Sequence, residues 1–168
     1  IEGYAFAKCS ELVKIELPDS VTGFGNGIFD GCKKLSEVKL PKRRQTITQY
    51  MFRDCTSLKT IVLPNTMMTL QSSAFSGCTA LETIVFPDSL TSIQGSAFLD
   101  CSSLKNVTWG KNLTSIDSSA FSNCDSLTTV ILSDSVTKLG TKVFYDCDAL
   151  TSVKLGSGIT TIPTSTFE

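Results

Sequence analysis

The chain has 168 residues, 41% of them hydrophobic and 18% charged, with a formal net charge of −1 and no histidine. That balance argues against a general polyanion or nucleic-acid binder, which is basic overall. Without histidine, the usual provider of general-base and metal chemistry near neutral pH is missing. No apolar run of about 18 residues is present, so no membrane insertion by a spanning helix is expected. No signal peptide is visible at Ile1 either.

A period of 23 residues organises everything else. Cys9, Cys32, Cys55, Cys78, Cys101, Cys124 and Cys147 obey it, as do eight phenylalanines from Phe6 to Phe167 and seven leucines from Leu12 to Leu150. A repeat of this size, held without insertion or deletion, predicts a solenoid in which each coil covers the next and the core is a rod. Residues 1–168 read as a single solenoid of about seven coils. Neither end carries the polar cap that terminal repeats need, so the chain reads as a fragment of a longer array.

Along each coil the elements follow one order. Ala-Phe-x-x-Cys-x-x-Leu, first met at Ala5 to Leu12, has the 3–4 spacing of a helical face and predicts one turn of 3₁₀ or α-helix. A short strand follows, with inward pairs Ile15/Leu17, Val38/Leu40, Ile61/Leu63, Ile84/Phe86, Val107/Trp109, Val130/Leu132 and Val153/Leu155. Pro18, Pro41, Pro64 and Pro87 stop it; Gly110, Ser133 and Gly156 take that place in later coils. After a turn comes a second apolar pair, such as Val21/Phe24, Leu90/Ile93 or Leu113/Ile116, whose spacing allows either a short extended piece or a tight bend. Arg44 stands in the Val21 column and Met67 follows it. A charge there is expected to loosen that corner or turn it outward.

Leu-x-x-Ile-x-Leu-Pro at Leu58 to Pro64, with Ala-Phe-x-x-Cys at Ala97 to Cys101, resembles the BspA-like class of leucine-rich repeats. The resemblance covers the whole chain. It implies a leucine-rich-repeat solenoid of α/β-horseshoe type but rich in β structure, right-handed and curved. A parallel sheet would line the concave face, with short strands and one-turn helices elsewhere. Members of the class are typically surface-exposed or secreted proteins that adhere to host matrix proteins or to other cells. The implied function is therefore a non-catalytic protein-binding or adhesion module at the cell surface. A structural subunit of a larger assembly, associating end-on with itself, is the alternative. Buried free thiols fit a cytoplasm better than an oxidising exterior, which keeps a cytoplasmic location open.

Four sets of residues are candidates for contact or chemistry. The outward strand column reads Glu16, Lys39, Val62, Val85, Thr108, Ile131, Lys154. Its middle is an apolar stripe with a polar rim, the usual mark of a partner site, although β-branched residues also simply suit strands. Lys42, Arg43 and Arg44 form a basic patch within a block from Lys33 to Lys59 of eight basic and two acidic residues. It suits an acidic protein, a sulfated glycan or anionic lipid, or it is only a solvated turn. The cysteines, evenly spaced and odd in number, lack the close pairs of a metal site and read as reduced, buried fillers. Asn106-Val107-Thr108 and Asn112-Leu113-Thr114 are glycosylation-type triplets. No nucleophile, base and orienting group can be assembled. No catalytic residue, cofactor or metal is therefore assigned.

Overall fold

The structure, a computed structural model, describes all residues 1–168. Eleven short strands follow one another: β1 (Lys14–Glu16), β2 (Glu37–Lys39), β3 (Thr46–Ile47), β4 (Thr69–Leu70), β5 (Thr83–Val85), β6 (Ser92–Ile93), β7 (Asn106–Thr108), β8 (Ser115–Ile116), β9 (Thr129–Ile131), β10 (Lys138–Leu139) and β11 (Ser152–Lys154). All pairings are parallel, and every register joins residue i to residue i+23.

Two faces of the coil carry these strands, and they differ. The Val/Ile-x-Leu segments form the face read from the sequence, but as three separate pairs, β1–β2, β5–β7 and β9–β11, rather than one sheet. The second apolar pair resolves to the extended alternative. Ile47, Leu70, Ile93, Ile116 and Leu139 point inward from a continuous five-stranded sheet, β3–β4–β6–β8–β10.

The expected one-turn helix does not form. Ala-Phe-x-x-Cys is instead bracketed by left-handed residues four apart: Ser73 (φ 54°) and Gly77 (φ 74°), then Ser96 (φ 56°) and Asp100 (φ 61°), and so on round the coils. A left-handed residue every fourth position prevents a helix from propagating, at roughly 1–2 kcal/mol for each L-residue so held. What it gains is a backbone ladder to the next coil. Phe52, Phe75, Phe98 and Phe121 each donate an N–H to the carbonyl of Ala74, Ala97, Ala120 and Val143, all at 2.8 Å. Only 10 of the 86 backbone–backbone hydrogen bonds lie within the strands, so turns hold this stack more than sheets do.

Inside, one apolar cluster runs the length of the stack. The phenylalanines lie face to face along its axis, as with Phe75–Phe98 at 5.2 Å and Phe98–Phe121 at 5.0 Å, ring planes within 8°. At these separations the rings are offset stacks, the favourable parallel arrangement. Phe86 and Trp109 meet the column edge-on or tilted. The cysteines complete the layer. Each Sγ from Cys32 to Cys147 reaches the carbonyl of the phenylalanine one coil back, for example Cys78 to Phe52 at 3.1 Å and Cys101 to Phe75 at 3.2 Å. A thiol here fills apolar space and still offers a weak donor.

At two of the proline replacements the coils nearly touch. A Cβ on Gly110 would meet the Pro87 carbonyl oxygen at 2.4 Å, and one on Gly156 the Ser133 oxygen at 2.2 Å. Arg44 corrects an expectation. Rather than swinging out, its guanidinium lies 4.1 Å over the Phe24 ring, so a cation–π contact replaces the missing valine. Its Nε is buried without a partner, and desolvation pulls the guanidinium below its usual pKa.

Candidate partner-binding face

The outward column of the first face is where the strand alternation places it. Val62 is 81% exposed, Val85 55% and Ile131 54%, and Lys39, Thr108 and Lys154 are exposed with them. Pairing sets Val85 beside Thr108 and Ile131 beside Lys154. The row begins differently. Glu16 and Lys39 are neighbours in β1–β2 and form an ion pair, while Lys14 and Glu37 form a second at 2.6 Å. These four charges satisfy one another, holding Glu16 below and Lys14 above their usual pKa values through the hydrogen bond each makes.

Between that neutral quartet and Val85 the face opens. Thr60 to Leu63 belong to no strand, and none of their backbone N–H groups finds a protein acceptor. The gap is a groove of about 440 Å³ lined by Val38, Lys39, Leu40, Lys42, Val62, Pro64 and Asn65. A second opening, between β7 and β9, is lined by Lys105, Asn106, Thr108, Trp109, Thr129 and Ile131 among others.

The basic patch does not stay together. Lys42 turns to the groove beside Val62, whereas Arg43 and Arg44 line a separate cleft with Asp19, Val21 and Thr22. The charge block around them is also less bare than its composition suggests. Lys34, Lys39 and Arg53 pair with Glu11, Glu16 and Asp30, each one coil back. Arg53 does so with two hydrogen bonds, 2.8 and 2.6 Å, to a nearly buried carboxylate. Neither the Lys42 ammonium nor the Arg43 guanidinium makes an ion pair within 4 Å, although Asp19, one coil back, accepts the Lys42 backbone N–H at 2.9 Å. The groove residues Leu40, Pro64 and Asn65 escaped the sequence reading. The signal that could have found them is the period itself: Asn65 lies 23 residues after Lys42, and opposite charges recur at that interval in Glu11/Lys34, Glu16/Lys39, Asp19/Lys42 and Asp88/Lys111.

Six cysteines are buried, Cys9 is exposed, and all seven are free. Burial pushes the interior thiols far above the usual range, with Cys147 raised to about 11. Their role is therefore packing, since the nucleophilic thiolate is suppressed. Asn106 is exposed on the first face, and the Asn112 amide donates to the Asp88 carbonyl at 2.9 Å. No group of three or more acidic or sulfur side chains is placed to hold a metal ion, and no helix is long and apolar enough to cross a membrane.

The family model described as the BspA type leucine rich repeat region matches six copies, over residues 1–105 and 69–168. The chain belongs to that family. Its fold is shared by a T. pallidum leucine-rich repeat protein, with TM-score 0.82 and 31% identity over 90% of this chain and 71% of that one. A leucine-rich cell surface protein of Faecalibacterium prausnitzii aligns with TM-score 0.80 and 29% identity, over 91% of this chain and 41% of that one. A leucine-rich repeat protein of Bacteroides ovatus aligns with TM-score 0.68 and 25% identity, over 95% and 57%. The chain thus spans well under two thirds of the last two. No curated protein matches it. The exposed row and both grooves lie on this first face, the side that the leucine-rich-repeat resemblance makes concave.

Proposed function

We propose that this BspA-type repeat chain is a non-catalytic protein-binding or adhesion module, displayed at a cell surface or secreted, that holds an extended partner along its concave face. The carrying observation is the row Lys39, Val62, Val85, Thr108, Ile131, Lys154: three large apolar side chains point to water from a solenoid whose core closes without them. Exposed apolar area with a polar rim is what a partner covers. A rigid row of such positions lets many modest contacts act on one molecule, as linked sites do. A surface location draws on the relative from F. prausnitzii, described as a cell surface protein.

The test is selection from a random peptide library on the immobilised chain, against a variant carrying both Val62→Lys and Val85→Lys. Related sequences should enrich on the parent and not on the variant, with both melting at the same temperature. Enrichment that survives the two lysines would remove the concave face from consideration.

A further inference from the structure

Resting on that reading, we infer that the groove between the second and third coils is its specificity site, and that it takes an extended acidic peptide segment carrying an apolar side chain next to a carboxylate. Three independent features of the groove converge on this chemistry. Its floor is apolar: Leu40, Val62 and Pro64 line it, and Val62 is the most exposed large hydrophobic residue of the chain. Its charge is one-sided. Lys39 and Lys42 line it and no acidic residue does; Lys39 is neutralised by Glu16 in the β1–β2 pair, whereas the Lys42 ammonium makes no ion pair, Asp19 one coil back accepting only its backbone N–H at 2.9 Å. Its backbone edge is open, because the N–H of Val62 has no protein acceptor.

An unpaired donor and an unpaired cation beside apolar surface ask for an acceptor-rich ligand with an apolar side chain. A carboxylate meets Lys42 and the free Val62 N–H by charge-assisted hydrogen bonds, and the neighbouring apolar side chain covers the Val62 side chain. A sulfated glycan would satisfy the charge but leave the apolar floor bare. The second groove, between β7 and β9, has a single lysine and lacks this bias.

The probe is a fluorescein-labelled peptide of about twelve residues alternating aspartate or glutamate with leucine, followed by anisotropy at about 50 mM salt, where screening is modest. Binding should weaken about tenfold on Lys42→Glu and about tenfold on Val62→Ser, a typical loss for a contact at the centre of an interface. A matching peptide with serine for leucine should bind about tenfold more weakly than the parent peptide. Both variant positions are exposed, and equal urea midpoints show that folding is untouched. The inference is overturned if the acidic peptide does not bind, or if Lys42→Glu leaves its affinity unchanged. It is equally overturned if the serine peptide or a sulfated oligosaccharide binds as tightly, since charge alone then suffices. Library enrichment lost on Val62→Lys with Val85→Lys but indifferent to Lys42→Glu would keep the concave face and discard the groove. Acidic-peptide binding that depends on Lys42 and Val62 but is indifferent to Val85→Lys would keep the groove and discard the longer row.

Discussion

The two sides of each coil obey the same period to different ends. On the turn side, phenylalanine and cysteine recur at every step, and each coil donates a backbone hydrogen bond to the next. On the concave side the parallel ladder breaks into three pairs, and the outward residue changes from Glu16 to Lys39, Val62, Val85, Thr108, Ile131 and Lys154. The difference follows from what each position touches. A side chain packed against its own copies one coil away must match them in size, or the stack opens a void or a clash. One that points to water meets no such demand. Repetition therefore marks the parts of this protein that touch themselves, and variation marks the part free to touch something else.

Hydrogen exchange should show the contrast most strongly. Amides of Thr60 to Leu63, without acceptors, should exchange close to the unprotected rate, while those of Phe75 and Phe98 are protected by orders of magnitude and open only with the stack. Equal protection on the two sides would erase the distinction drawn here.

Alkaline pH attacks the turn side first. Burial raises the folded pKa of Cys55, Cys78, Cys101 and Cys124 above the unfolded value of 9.0. Their contribution is therefore complete below about pH 9 and is lost as pH climbs toward the folded values. At about 1.4 kcal/mol per thiol per pH unit, these four together cost about 5 kcal/mol by about pH 10. Urea midpoints measured across that range should fall accordingly, and the fall should shrink in a variant with alanine at these four positions.

Phe98→Ala should cost about 3–5 kcal/mol in equilibrium urea unfolding, because it opens a cavity between two stacked rings that cannot collapse onto it. Asp30→Ala should cost about 1–3 kcal/mol, the worth of a charged hydrogen-bonded pair partly open to solvent, with a weaker effect at high salt. Val85→Lys should change stability by less than about 0.5 kcal/mol, even though it places a charge in the middle of the proposed binding row. A large loss of stability there would mean that the concave face is part of the core.

How far the chain could be read without coordinates depends on the residue. The inward pairs, the phenylalanine and cysteine columns and the outward valines lie where the period and the strand alternation put them, except at the two ends of the stack, where Cys9 and Val153 are exposed. The expected helical turn was misread although its correction is written in the chain. Gly31, Asp54, Gly77, Asp100, Asn123 and Asp146 precede the cysteines, and Gly, Asn and Asp are the residues that tolerate a left-handed backbone. Arg44 was misread for another reason: nothing in its own segment reveals that Phe24, twenty residues earlier, offers its ring face.

By itself, then, the amino-acid order determined the solenoid, its coil length, its family and its core, because those rest on copies of the same side chain meeting at a constant interval. Only the tertiary structure decided where the concave ladder opens, that Lys42 parts from Arg43 and Arg44, and which cations keep a partner. Those outcomes turn on distances of a few ångströms between adjacent coils, and a separation of 23 residues along the chain says which groups are neighbours without saying whether they touch.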